Sequence, residues 1–146
     1  MAVETPIQPQ RFRLRAPLLS DGRLDVDLAE TPNLTVGLKV YAVGGENTLH
    51  THVAEDHFFL VLDGQARFYG RDGELGVLGR YEGILLPQGC FYWFEQVGDR
   101  PLVMLRVGTG REARRARIGI DGRPLPGDSP ENKHVPPVII PGAFFE

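Results

Sequence analysis

Cysteine is almost absent from this chain. Cys90 is the only one among 146 residues, so no internal disulfide can form. A lone thiol fits a reducing compartment, and a cytoplasmic location is the expectation. No apolar run is long enough to cross a bilayer, and no early apolar run carries the basic flank of a signal peptide, so neither a membrane span nor a leader is expected. Neither sign of charge dominates: 16 Lys and Arg against 19 Asp and Glu, interspersed, offer no basic surface to a nucleic acid. Long segments with apolar residues at helical spacing are missing as well, which leaves little room for helices.

Turn-forming residues, by contrast, are abundant. The 18 glycines and 12 prolines punctuate short apolar runs, the pattern of an all-β protein with many turns. The length suits one domain. Residues 1–10 read as a polar arm without a core of its own, and Arg11 to Leu19 alternates basic and apolar residues as a half-exposed strand would. Ser20-Asp21-Gly22-Arg23 is then a turn. Leu34, Val36, Leu38, Val40 and Ala42 occupy every second position of the clearest strand, which Gly44-Gly45 ends. Phe58 to Leu62 is apolar on both faces and belongs in the middle of a sheet; Asp63-Gly64 and Arg71-Asp72-Gly73-Glu74 turn the chain on either side of the next strand. Glu82 to Leu86 is stopped by Pro87, and Leu102 to Val107 closes the series. Close hairpins imply antiparallel pairing, and about ten strands make a double-sheet jelly-roll barrel over residues 11–108.

Residues 109–146 form a tail rich in turn formers that ends in Phe144-Phe145, expected to pack across the barrel or onto a partner subunit. The arginines between Arg111 and Arg117 read most simply as a solvated edge, with Arg114 or Arg115 meeting an acidic substrate or a subunit as the alternative. His134 on the tail is within reach of the cavity mouth.

The chemistry concentrates in GGENTLHTHVAEDHFFLVLDG, Gly44 to Gly64, which holds three of the four histidines. His50 and His52 lie two apart, so on a strand both rings project from one face, and His57 opens the strand that returns beside them. Three neutral nitrogens suit one divalent transition metal (iron, zinc, nickel, manganese or copper) better than magnesium or calcium. Glu55 and Asp56 could supply an oxygen ligand, although solvated turn chemistry is their expected role. Farther on, alternation from an inward Tyr92 carries Phe94 and Gln96 inward, where with Phe59 they would wall a substrate pocket. Arg67, Arg106 and Gln96 lie on strands; an arginine facing inward would select a carboxylate substrate.

The Gly44–Gly64 stretch resembles the first motif of the cupin superfamily, a glycine, five residues, His-x-His, three or four residues, a glutamate, six residues and a glycine. Gly44, His50, His52 and Gly64 fall on that spacing, with His57 at the glutamate position. Tyr81 to Tyr92 resembles the second motif: Pro87 and Gly89 match its Pro-x-Gly turn, whereas Tyr81, Tyr92 and Gln96 replace its glycine, histidine and asparagine. The resemblance implies an all-β cupin fold, the double-stranded β-helix or jelly-roll barrel, in a homodimer to which the arm contributes a strand. It also implies a metal held by His50, His52 and His57. Tyr92 either joins as a phenolate ligand or stays a neutral phenol, a catalytic acid/base beside the metal. The expected function is a metal-dependent enzyme on a small, oxygen-rich or aromatic molecule, first a dioxygenase-type oxidoreductase by analogy with three-histidine thiol dioxygenases, otherwise a lyase or isomerase. The competing expectation is a non-catalytic cupin that binds or senses a small ligand.

Overall fold

A computed structural model describes residues 7–110, 117–126 and 129–146. The described residues form twelve strands: β1 (Ala16–Asp21), β2 (Arg23–Thr31), β3 (Leu34–Tyr41), β4 (His50–His52), β5 (His57–Asp63), β6 (Gln65–Gly70), β7 (Gly73–Leu78), β8 (Gly83–Leu86), β9 (Trp93–Val97), β10 (Leu102–Thr109), β11 (Arg117–Gly119) and β12 (Val138–Phe145), with one 3-10 turn at Pro130–Asn132. No described helix is long and apolar enough to cross a membrane.

A five-stranded sheet in the order β2-β3-β10-β5-β8 packs against a three-stranded one, β7-β6-β9; β11 and β4 form a two-stranded ribbon, and a second ribbon, β1-β12, packs on the outer face of the large sheet. Every paired strand runs antiparallel to its neighbour. This is the all-β jelly-roll barrel. Hairpin turns hold its registers: Gly64 joins β5 to β6 at φ 77°, and a Cβ there would lie 2.5 Å from the Pro101 carbonyl, so only glycine fits without strain.

Alternation along β3 explains why the large sheet is buried on both faces. Leu38 and Val40 point outward into a cluster with Leu19 and Val103, covered by Leu14 ahead of β1 and Phe145 from the tail. Tyr41 points inward and packs with Phe59, Phe68, Phe94 and Met104 between the sheets. Each such side chain taken fully from water contributes about 1.5–3 kcal/mol. The inward face of β3 also carries Thr35 and Lys39, both buried, so this polar face lines the interior rather than meeting solvent.

Several expectations change. The alternation of Arg11 to Arg15 makes no strand; β1 starts only at Ala16 and takes in Ser20 and Asp21, leaving Gly22 as the turn. Of the arm, residues 1–6 lie outside the described residues, and Gln10 at its end is bound to its own chain: Gln10 Nε2 donates to the Glu30 carbonyl at 2.7 Å, and Glu30 N donates to Gln10 Oε1 at 2.9 Å. The tail supplies β11, which pairs with β4, and β12, which pairs with β1. Arg114 and Arg115 lie outside the described residues. Tyr81, in the position of the second motif's leading glycine, has φ 69°, the left-handed conformation that glycine adopts without strain.

Candidate metal centre

Three segments build the site. β4 consists of His50, Thr51 and His52 alone, held between β11 and an isolated bridge from His50 to Tyr92. The loop that follows is fastened by Asp56: its Oδ1 accepts from Gln88 N at 2.8 Å, and its own N donates to Thr109 Oγ1 at 3.0 Å. With Val53, Ala54 and Asp56 outside, the neighbouring Glu55 is turned inward, fully buried. β5 then begins with His57, also inward.

The expected solvated role for Glu55 is therefore corrected. Its Oε1 accepts a hydrogen bond from Arg106 Nη2 and lies 3.4 Å from His57 Nδ1 and 3.9 Å from His52 Nδ1. Gly108 makes the room, since a Cβ there would stand 2.8 Å from Arg106 Nη1 and 3.2 Å from the Glu55 carboxyl carbon. Arg106 is thus the inward arginine, already paired. Arg67 instead meets Glu74 at 2.9 Å on the outer surface of the hairpin.

One donor atom from each of His52, Glu55 and His57 lies within 4.8 Å of the other two. Four buried donors around this point have no hydrogen-bond partner: His52 Nδ1, His57 Nδ1, Glu55 Oε2 and His50 Nε2. Leaving such groups unsatisfied is unfavourable by about 1–3 kcal/mol each, and a cation accepting their lone pairs removes that penalty. His50 is oriented for it. Its Nδ1 lies 2.6 Å from the Thr48 carbonyl, to which it must donate, and this leaves Nε2 as a bare lone pair. His50 nonetheless stands beside the compact group rather than in it, its ring 5.2 Å from that of His52.

Burial keeps these imidazoles neutral, the form a metal needs. It pushes His50 down to about 3, with the Arg117 charge adding to the effect. His52 is held far below its ordinary value by burial and by its two histidine neighbours. Burial lowers His57 too, against the opposing pull of Glu55.

Tyr92 Oη lies 2.9 Å from His57 Nε2, and burial pushes the phenol up to about 12. Its ring and those of Phe59 and Phe94 wall a cavity of about 370 Å³ that reaches His52. Gln96 is not among its lining residues. Its Nε2 donates instead to the carbonyls of Val97, Gly98 and Arg100 and closes the β9–β10 turn. His134 is exposed on the tail, away from the cavity. Cys90 packs as a small apolar group against the inner cluster.

The cavity also holds polar side chains that the sequence reading did not place there: Asp25, Lys39, Asn47 and Arg117. Lys39 Nζ donates to Asp25 Oδ1 at 2.9 Å, and Asn47 Oδ1 accepts from Phe94 N at 2.9 Å. Alternation around Lys39 and around Asp25 was the available signal.

A family model described as a cupin domain matches residues 37–108, from β3 to the end of β10. Similar solved structures include KdgF from Halomonas sp., with 16% identity and a TM-score of 0.57 over 62% of this chain and 81% of that one. A cupin superfamily protein from Desulfitobacterium hafniense DCB-2 has 18% identity and a TM-score of 0.54, over 63% and 81%. An RmlC-like cupin from Shewanella frigidimarina NCIMB 400 has 15% and 0.56, over 66% and 86%. At such identities the likeness is one of fold. No protein with a curated description matches the sequence.

Proposed function

The chain belongs to the cupin superfamily, and from that premise we propose that it is a metal-dependent enzyme acting on a small organic molecule in the barrel, with dioxygenation as its reaction class. The observation that carries this reading is the convergence of His52, Glu55 and His57 on one point, with buried donor atoms that nothing in the protein satisfies. Two imidazoles and a carboxylate suit iron(II) with coordination positions left open. Bound there, the metal supplies Lewis acidity and, as iron, one-electron chemistry toward dioxygen.

The chain's own residues do the rest. Arg106 orients Glu55 and balances its charge through Oε1, the oxygen nearest both imidazoles, while the buried Oε2 has no hydrogen-bond partner. His50, fixed by the Thr48 carbonyl, adds a further nitrogen beside the group. Phe59 and Phe94 exclude water from the inner end of the cavity. Tyr92 holds a proton at Oη, in contact with His57 Nε2, and is the group that would donate it to or recover it from a bound substrate. That proton keeps lyase or isomerase chemistry as the second reaction class for the same centre.

A reading from another class, a metal-free cupin that binds a small ligand, draws on the same residues: Arg106 and Tyr92 already engage Glu55 and His57. Elemental analysis of untagged protein, purified without chelator, separates the two. The enzyme reading expects about one transition-metal ion per chain, lost in His52→Ala and in His57→Ala, and oxygen uptake with iron(II) and substrate. Metal-free protein that also refuses added iron(II), zinc and manganese sinks it.

A further inference from the structure

Three cations line the cavity: Lys39, Arg106 and Arg117. Two are matched by carboxylates, Lys39 by Asp25 and Arg106 by Glu55. Arg117 has no carboxylate partner among the described residues, and its Nε is buried without a hydrogen bond. Strand pairing directs this guanidinium. Arg117 on β11 is the register partner of His52 on β4, and directly opposed residues of an antiparallel pair project to the same face. An unmatched guanidinium therefore stands beside the inner end of the cavity, next to the proposed metal ligands.

A planar fork of N–H donors in a partly dry site is matched best by a carboxylate, which takes two parallel hydrogen bonds from it. The walls restrict what else the molecule can be. Phe59, Phe94 and Tyr41 offer flat apolar surface, while Asp27 and Glu30 set negative charge at the exposed rim and disfavour a polyanion. We propose that Arg117 anchors the substrate, and that the cavity takes a small monocarboxylate with a planar apolar body, its carboxylate on Arg117 and its body along Phe59 and Phe94. This rests on reading the cavity as the place where substrate meets the metal centre, and it names the class of substrate. Lys39, with one of its three N–H groups on Asp25, offers the carboxylate a further donor.

Benzoate and its neutral isostere benzamide are suitable probes, titrated calorimetrically into the full chain as purified and after chelator treatment. Benzoate is expected to bind at least about ten-fold more tightly than benzamide. Arg117→Gln should remove that preference, weakening benzoate far more than benzamide, and Arg117→Lys should keep part of it. The preference should survive chelation. Equal affinities in the parent protein, no benzoate binding at millimolar concentration, or a preference retained in Arg117→Gln would overturn the proposal. So would a preference that vanishes with the metal, since the carboxylate would then be held by the ion. The parent-protein comparison decides the matter even if the variants fail to fold. A chain that never takes up metal but keeps the benzoate preference removes the enzyme reading and leaves the anchor standing.

Discussion

Arg106 on β10 donates to Glu55 in the loop between β4 and β5, and both side chains are buried at the centre of the candidate site. A pair of this kind reveals itself when it is broken. Glu55→Leu or Arg106→Met alone leaves a buried charge without its partner, at a cost of about 3–5 kcal/mol. The double substitution leaves none. Urea unfolding of metal-free protein should find the double variant more stable than either single one; additive losses would show that the two residues do not depend on each other.

Acid should unfold the metal-free protein in a defined window. Burial takes His50 from 6.5 down to about 3 and lowers His52 and His57 as well. Between those pH values the unfolded chain binds protons that the folded one refuses, so stability is complete above pH 6.5 and falls as pH drops below it. Each such histidine adds about 1.4 kcal/mol per pH unit to the slope. Melting temperature against pH after chelation should show the fall, and His50→Asn should flatten it. A level profile down to about pH 4 would mean that the rings are not buried in neutral form.

Lys39 is expected to weaken the fold. Burial lowers its ammonium from 10.5 to about 8, against the pull of Asp25. Below pH 8 both folded and unfolded chains carry the proton and the penalty is fully present; it fades as pH rises toward 10.5. Lys39→Met should therefore raise stability at neutral pH, since the partner Asp25 is exposed and stays hydrated without it, with the gain shrinking in alkali. Thermal unfolding at neutral and at alkaline pH tests both parts, and a loss of stability at neutral pH would contradict the account.

Gly108→Val probes the centre without touching a ligand. Its φ is ordinary for a strand, but the new side chain would press on Arg106 and Glu55. Zinc affinity by calorimetry should drop by about 10–100-fold, as when a ligand loses its support, with the circular dichroism unchanged. Unaltered affinity would place Glu55 outside the coordination sphere.

Local pattern made the barrel legible, together with two of the three clustered side chains, His52 and His57. His50-Thr51-His52 puts two rings on one face by strand geometry alone, and alternation on β3 marks its two faces. Glu55 could be named from the sequence only as an alternative oxygen ligand, because its inward turn depends on Asp56 reaching Gln88 and Thr109, residues distant in the chain. Counting spacings put His57 where a glutamate was expected, and Glu55 arrived at the same centre from two residues earlier. On β2, Leu24, Val26 and Leu28 alternate with the exposed Asp25 and Asp27, and Asp25 borders the cavity where it meets the ammonium of Lys39. Gln96 failed the alternation argument near the end of its strand, where three carbonyls claimed its amide.

The carboxamide of Gln10 occupies both backbone groups of Glu30 on β2, the outermost strand of the large sheet. It imitates one residue of a neighbouring strand and covers the edge of the sheet at Glu30. At that point a second strand cannot add to β2 without first displacing the amide of Gln10.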